Sequence, residues 1–318
     1  HVQRFAGPEQ APCLVLLHGT GASTHSWRDL APLLAQRFEV VAMDLPGHAF
    51  TGMPPGGVGS PQLSLPGMAR AVHGLLRTLD CQPDLVIGHS AGAAIGIRMC
   101  LDALIAPRLV VGINAALLPL AGLAGPLFAP AAKLLAATPG VPRLFAWRAR
   151  EPAVLQRLLQ GTGSVLDAEA TALYRALVGC PEHAAGALGM MANWDLQTFA
   201  RDLPRLHTPL LLLAATHDRT VPPAQALEVL ARLKPPAQAR VIELPGLGHL
   251  AHEEQPALVA SHILAAIGEP APTPAACAGA GACAPGAAAR AGPALPQPPP
   301  SPPGGAPPPV GSTPPRHR

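Results

Sequence analysis

The stretch Leu85-Val86-Ile87-Gly88-His89-Ser90-Ala91-Gly92 decides the fold of this chain. Three apolar residues typical of a buried strand run into a Gly-x-Ser-x-Gly turn, and an Ala- and Ile-rich stretch typical of a helix follows. Small residues beside the serine let strand and helix approach closely enough to expose its hydroxyl. We predict that Ser90 is a nucleophile and that Gly88, His89 and Gly92 build its turn. The alternative is that Ser90 only caps the helix.

On both sides of this turn, short apolar runs alternate with helical patterns. The alternation predicts an α/β fold with a mostly parallel central sheet and helices on both of its faces. The predicted strands are 2–5, 14–17, 39–43, 85–87, 109–113, 210–215 and 239–244. The predicted helices are 27–34 with a cap at Ser26, 68–79, 91–104, 127–137, 152–159, 168–178, 183–191, 224–233 and 256–267.

The pattern of predicted strands and helices changes twice along the chain, which predicts three structural parts. Between strands 109–113 and 210–215 only helical patterns occur, so residues 115–205 are predicted to form a helical cap inserted into a core of residues 1–114 and 206–268. The segment 269–318 is almost entirely Pro, Ala and Gly and is predicted to be disordered, because such a composition cannot bury a core.

Charge and hydropathy exclude several classes of partner. The net charge is +3, and its excess cations, Arg290, Arg316 and Arg318, lie in the tail. The neutral body argues against a nucleic acid partner. The charge-free stretch 109–132 is broken by Gly and Pro, which argues against a membrane span. Its apolar surface favours a lipophilic ligand or peripheral membrane contact.

The six cysteines show no C-x-x-C pair and no zinc spacing. They predict a reduced, cytoplasmic protein in which Cys13, Cys81 and Cys100 act as small apolar residues. The pairing of His249 and His252 with Glu253 suggests zinc as an alternative role, but no further ligand set is evident, so we predict no metal.

Chemically useful side chains follow several predicted strands, where the ligands of open parallel sheets bind. The Gly19-Thr20 turn comes after 14–17, Asp44 after 39–43, Asp218 after 210–215 and His249 after 239–244. A serine hydroxyl is a weak nucleophile until an imidazole takes its proton, and a carboxylate orients that imidazole. Ser90, Asp218 and His249 therefore form a candidate triad, although Asp218 as a turn residue and His249 as an incidental loop residue remain alternatives.

The chain resembles the α/β-hydrolase family over nearly all of residues 1–268. The motifs that carry the resemblance are LVLLHGTG (14–21), DLPGH (44–48), LVIGHSAG (85–92), HDRTVP (217–222) and GLGHLAHEE (246–254). The resemblance implies Ser90 as the nucleophile, His249 as the general base and Asp218 as its acid, with Asp44 in reserve. It also implies an oxyanion hole from the backbone N–H groups of Thr20 and Ala91. His48-Ala49-Phe50 departs from the usual glycine-rich pattern after Asp44, and the expected first strand is truncated or absent.

A narrower resemblance is to the magnesium-chelatase accessory proteins of bacteriochlorophyll biosynthesis. It rests on HGTGASTHSWRDL (18–30), GHSAGAAI (88–95), ALLPLAGLAG (116–125), RLFAW (143–147), GMMANWDL (189–196) and LPGLGHLAHEE (244–254). It implies a role near magnesium insertion into protoporphyrin, a tetrapyrrole as the lipophilic ligand and chelatase subunits as partners. We predict no cofactor. A non-catalytic porphyrin carrier and a general carboxylesterase are the alternatives.

A flat apolar ligand needs a matching pocket. The residues predicted to line it are His18, Gly19, Met190, Met191 and Trp194. The alternative is that the Met and Trp side chains of this stretch form the core of the cap.

Overall fold

A seven-stranded sheet forms the centre of the computed structural model, which describes residues 1–119, 138, 140–234 and 238–268. The strands are β1 (Val2–Phe5), β2 (Cys13–Leu17), β3 (Glu39–Met43), β4 (Pro83–His89), β5 (Leu109–Ile113), β6 (Leu210–Ala215) and β7 (Ala239–Leu244). Their order in the sheet is β1-β3-β2-β4-β5-β6-β7. Only β1 runs antiparallel to its neighbour, so the predicted strand at 2–5 exists as an edge strand beside β3.

Both faces of the sheet are covered, which explains why its strands are continuously apolar. Along β2, Val15 and Leu17 pack into one hydrophobic cluster, while Leu14 and Leu16 pack into another on the opposite face. All four are fully buried. Each such side chain contributes about 1.5–3 kcal/mol through burial. The core therefore lies on both sides of the central strands.

The helices of the described residues match most predictions to within a few positions. They are α1 (Leu30–Leu34), α2 (Leu65–Thr78), α3 (Ala91–Leu101), α4 (Val141–Ala149), α5 (Pro152–Gly161), α6 (Ala168–Val178), α7 (Pro181–Ala192), α8 (Leu196–Asp202), α9 (Ala224–Arg232), α10 (Ala251–Glu254) and α11 (Pro256–Ala266). The cap predicted at Ser26 is wrong: a 3₁₀ turn occupies Thr24–Trp27, and the Ser23 side chain accepts its capping hydrogen bond.

Helices α4 to α8 lie between β5 and β6 in the chain. Two of them, α4 and α8, were not predicted. Helix α4 exposes Leu144 and Trp147 to solvent, so its apolar residues do not follow an amphipathic period. The predicted helix 127–137 and the tail 269–318 lie outside the described residues, and the division into core, cap and tail stays a prediction. Among the described helices, none is long and apolar enough to cross a bilayer.

Two of the cysteines form a bond that the sequence did not predict. Cys13, at the start of β2, is disulfide-bonded to Cys81, just before β4. The parallel pairing of these two strands, with Cys13 opposite Pro83, brings the thiols together. The prediction of two reduced, apolar cysteines is therefore wrong at these positions. Cys100 is a free thiol packed against the core, and burial raises its pKa to about 11.

Candidate active site

Ser90 lies in a strained turn between β4 and α3. Its backbone has φ 51° and ψ −116°, a region that costs about 1–3 kcal/mol for a residue with a side chain. Its N–H donates to the Ile113 carbonyl at 3.0 Å. A Cβ at Gly92 would lie 2.0 Å from the Leu17 carbonyl oxygen, and one at Gly88 would lie 2.2 Å from a helix nitrogen. The Ser90 side chain makes no capping hydrogen bond, which argues against a role as a simple cap.

The predicted acid and base are in contact. His249 Nδ1 lies 2.7 Å from Asp218 Oδ2, and both side chains are buried. The other carboxylate oxygen, Oδ1, accepts the N–H groups of Thr220 at 2.7 Å and Val221 at 2.9 Å. The carboxylate is thus fixed at both oxygens, and its bond places the imidazole proton on Nδ1. His249 Nε2 is then left as a proton acceptor.

Asp44, the alternative candidate for the triad acid, makes a different set of hydrogen bonds. Its Oδ1 accepts the Thr24 N–H at 2.8 Å and its Oδ2 accepts the Phe50 N–H at 3.2 Å. It therefore ties together the loops that follow β2 and β3. The departure from the glycine-rich pattern is accommodated there by Ala49, which adopts φ 45°.

The predicted oxyanion donors face the same cavity as Ser90. Thr20 and Ala91 both line this cavity. Within the described part of the chain, neither backbone N–H donates a hydrogen bond, and Ala91 is the first residue of α3. A helix N-terminus carries a partial positive charge that favours an anion. The Thr20 hydroxyl contacts the Met190 sulfur at 3.4 Å, which holds the loop against α7.

The cavity measures about 780 Å³ and lies over Ser90 and His249. Helices α5, α6 and α7 supply much of its wall, through side chains such as Leu155, Tyr174 and Ala187. Among the described residues, no Lys or Arg lines it, and Asp195 contributes a carboxylate. A largely apolar wall with a few convergent polar groups is typical of a site for a lipophilic small molecule.

Three of the five residues predicted to line the pocket do so, namely Gly19, Met191 and Trp194. His18 and Met190 do not, and both are completely buried behind the lining. Met190 precedes Met191 by one helical position and therefore points about 100° away from it, into the core. His18 accepts the Leu45 N–H at 2.9 Å, and burial lowers its pKa to about 3.

Two residues that the sequence analysis did not single out hold the site together. His183, on α7, accepts the Ala49 N–H at 3.0 Å and donates to the Gly21 carbonyl at 3.1 Å. Asn114 donates through its side-chain amide to the carbonyls of Gly248 at 3.0 Å and His249 at 2.8 Å. Each is a lone polar residue inside an apolar stretch, so the sequence gave no signal for either set of hydrogen bonds.

The two histidines next to His249, His89 and His252, are held by the backbone and by other rings. His89 Nε2 donates to the His249 carbonyl at 2.9 Å. The His252 ring lies between Trp27 and His89, with centroids 4.6 and 4.5 Å away, and burial lowers its pKa to about 3. Within the described residues, no group of His, Cys, Asp and Glu is arranged to hold a metal ion. Glu253 instead accepts the Tyr174 hydroxyl at 2.7 Å, and burial raises the pKa of its carboxyl to about 8.

Comparison with known proteins agrees with this architecture. A family model described as "Alpha/beta hydrolase family" matches residues 14–262. The magnesium-chelatase 30 kDa subunit of Rhodobacter capsulatus is 42% identical over 247 residues, which cover 78% of this chain and 84% of that protein. Among solved structures, an alpha/beta hydrolase fold protein from Burkholderia ambifaria has a TM-score of 0.65 at 24% identity, covering 83% of this chain and 93% of the other. The enol-lactonase from Burkholderia xenovorans LB400 has a TM-score of 0.63 at 20% identity, covering 85% and 96%. The chain therefore belongs to the alpha/beta hydrolase family.

Proposed function

We propose that this protein is a serine hydrolase that cleaves an ester of a lipophilic compound. The observation that carries the proposal is the buried Asp218–His249 hydrogen bond beside a strained Ser90 turn, with Ser90 and His249 on one cavity. An imidazole oriented by a carboxylate activates a serine hydroxyl as a nucleophile.

The reaction uses these groups in two steps. Ser90 Oγ attacks the acyl carbon while His249 Nε2 takes the hydroxyl proton. The carbonyl oxygen, now negative, accepts hydrogen bonds from the N–H groups of Thr20 and Ala91; each such donor is typically worth about 3–4 kcal/mol of barrier. His249 gives its proton to the leaving alcohol. A water molecule then attacks the acyl-serine in the same way and releases the acid.

We place this activity in bacteriochlorophyll biosynthesis, near magnesium insertion into protoporphyrin. The support is the similarity to the Rhodobacter chelatase subunit over most of both chains. An apolar cavity of about 780 Å³ suits a large and flat tetrapyrrole derivative. Subunits of magnesium chelatase are then the expected protein partners. The cytoplasmic location and peripheral membrane contact suggested by the sequence stay predictions.

A fluorophosphonate probe tests the catalytic part of the proposal. We expect it to label the folded wild-type protein at Ser90 and to leave Ser90→Ala unlabelled. Ser261→Ala is the matched control, because Ser261 is on α11 and its hydroxyl only donates to the Leu258 carbonyl. The hydrolase proposal fails if wild-type protein that is folded remains unlabelled.

Deletion of the gene in its native host tests the pathway. Accumulated protoporphyrin that is relieved by wild-type protein and not by Ser90→Ala supports a catalytic role near magnesium insertion. Normal pigment in the deletion strain refutes the pathway assignment, and an esterase of another pathway would then be the better description.

A second candidate function is a non-catalytic porphyrin carrier for the chelatase. The observation that favours it is the volume of the cavity together with a relative that is named as a chelatase subunit. Complementation of the deletion by Ser90→Ala would support the carrier. Absence of saturable protoporphyrin binding at micromolar concentration would refute it.

A further inference from the structure

The turn between α5 and α6 contacts the two loops that carry the candidate acid and base. Its residues are 162–165. The Thr162 carbonyl accepts the His249 N–H at 3.0 Å and the Arg219 N–H at 3.3 Å. A single residue of this turn is thus bonded both to the candidate general base and to the residue after Asp218.

The amides on either side of His249 are bound in the same region. The Ser164 hydroxyl oxygen accepts the Leu250 N–H at 2.8 Å. Glu254 accepts the Gly248 N–H at 2.8 Å through one carboxylate oxygen and the Val165 N–H at 3.2 Å through the other. Three consecutive N–H groups centred on His249 are therefore held by the turn itself or by a carboxylate that is bonded to it.

The fit between these segments leaves little room. A Cβ at Gly163 would lie 2.0 Å from the His217 carbonyl oxygen. A Cβ at Gly248 would lie 2.4 Å from the Ser164 nitrogen. Such close approaches keep the turn and the His249 loop in one arrangement, because neither can shift without a clash or a lost hydrogen bond.

We propose that Ser164 and Glu254 are positioning residues that, with the Thr162 carbonyl, clamp His249 in its working orientation. This inference rests on the proposed hydrolase function. The clamp belongs to a turn whose flanking helices line the cavity through Leu155, Leu159 and Tyr174. The segment that forms the ligand site therefore also sets the orientation of the base.

Single variants Ser164→Ala and Glu254→Gln test the clamp. Ser261→Ala, at a partly buried position of α11, and Glu228→Gln, at an exposed position of α9, are the matched controls. The saturable rate of Ser90 labelling by a fluorophosphonate is expected to fall about fivefold in Ser164→Ala and tenfold or more in Glu254→Gln, since a hydrogen bond to a charged group is the stronger. The probe concentration at half-saturation should stay unchanged, because the cavity wall is intact.

The split between rate and half-saturation separates positioning from a general loss of structure. A misplaced base slows the labelling step alone, whereas a disturbed cavity wall would also raise the probe concentration at half-saturation. Unchanged labelling rates in both variants, with folded protein shown by circular dichroism, overturn the clamp.

Hydrogen exchange distinguishes the failure of the clamp from the failure of the hydrolase. Faster exchange of the amides from 248 to 250 in both variants, with control-like exchange elsewhere, supports the clamp even if wild-type protein is never labelled. Wild-type exchange at these amides overturns the clamp. Unlabelled wild-type protein refutes the hydrolase.

Discussion

Replacing Glu253 with Gln is expected to stabilise the folded protein by an amount that grows with pH. The side chain of Glu253 is only 7% exposed and lies beside Tyr174, whose hydroxyl donates to it at 2.7 Å. Burial raises the pKa of its carboxyl from 4.5 to about 8, against the opposing effects of the Tyr174 hydrogen bond and of Arg28. The carboxyl is therefore neutral in the folded protein near pH 7. Gln keeps both the volume and the oxygen that accepts the Tyr174 hydroxyl.

The magnitude follows from linkage. Below the unfolded pKa of 4.5, both states hold the proton and the wild type loses nothing. As the pH rises from there to about 8, the Glu253 carboxyl of the folded protein keeps a proton that the unfolded chain has released. Each pH unit in this range therefore lowers the free energy of unfolding of the wild type by about 1.4 kcal/mol. The free energy of unfolding of Glu253→Gln should thus exceed that of the wild type by about 3 kcal/mol at pH 7 and by up to about 5 kcal/mol above pH 8.

Urea unfolding of both proteins at several pH values between about 5 and 9 measures this difference. The buried histidines are common to both proteins, so their contributions cancel. Glu228→Gln, at an exposed site, should track the wild type at every pH. A Glu253→Gln difference that does not change with pH would show that the carboxyl is ionised in the folded state, and the reasoning from burial would be refuted.

Three further predictions concern stability. Asn114→Ala removes two hydrogen bonds to the His249 loop and one from Ala215, so urea unfolding should show a loss of about 3 kcal/mol; a loss below about 1 kcal/mol would contradict this role. Reduction of the Cys13–Cys81 bond, which spans 68 residues, should lower the free energy of unfolding by up to about 4 kcal/mol, and an unchanged thermal midpoint in reductant would count against the bond. His18 and His252 have pKa values of about 3 because they are buried, so the free energy of unfolding that they support is fully present above about pH 6.5 and is lost as the pH falls towards 3. The test uses Glu253→Gln, because the Glu253 carboxyl of the wild type opposes this loss between pH 7 and pH 5; a urea midpoint of the variant that stays constant over this range would argue against the prediction.

The sequence predicted the sheet well because every central strand is buried on both faces. A run such as 210–215 must then be apolar throughout, and its ends are marked by polar residues that serve the site. The hydrogen bond of Asp218 to His249 was expected from the order of motifs. Helix α4 was not predicted, since an exposed apolar face breaks the amphipathic pattern. The Cys13–Cys81 bond was also missed, because it depends on the register of β2 against β4 and not on spacing along the chain.

Polar contacts between the segment from α4 to α8 and the rest of the chain were the least predictable part. Ser164 acts through one side-chain hydrogen bond and His183 through two, all to backbone groups far away in sequence, and no periodicity marks such residues. These contacts join the cavity to both sides of the candidate site, since His183 is bonded to the Thr20–Gly21 loop at Gly21 and Ser164 to the His249 loop at Leu250. The Ser90 turn alone argues for a nucleophile of the hydrolase type. The residues that line its cavity lie instead on helices whose connecting turn also contacts the His249 loop, so under the proposed function a change of ligand preference is expected to alter the reactivity of Ser90 as well.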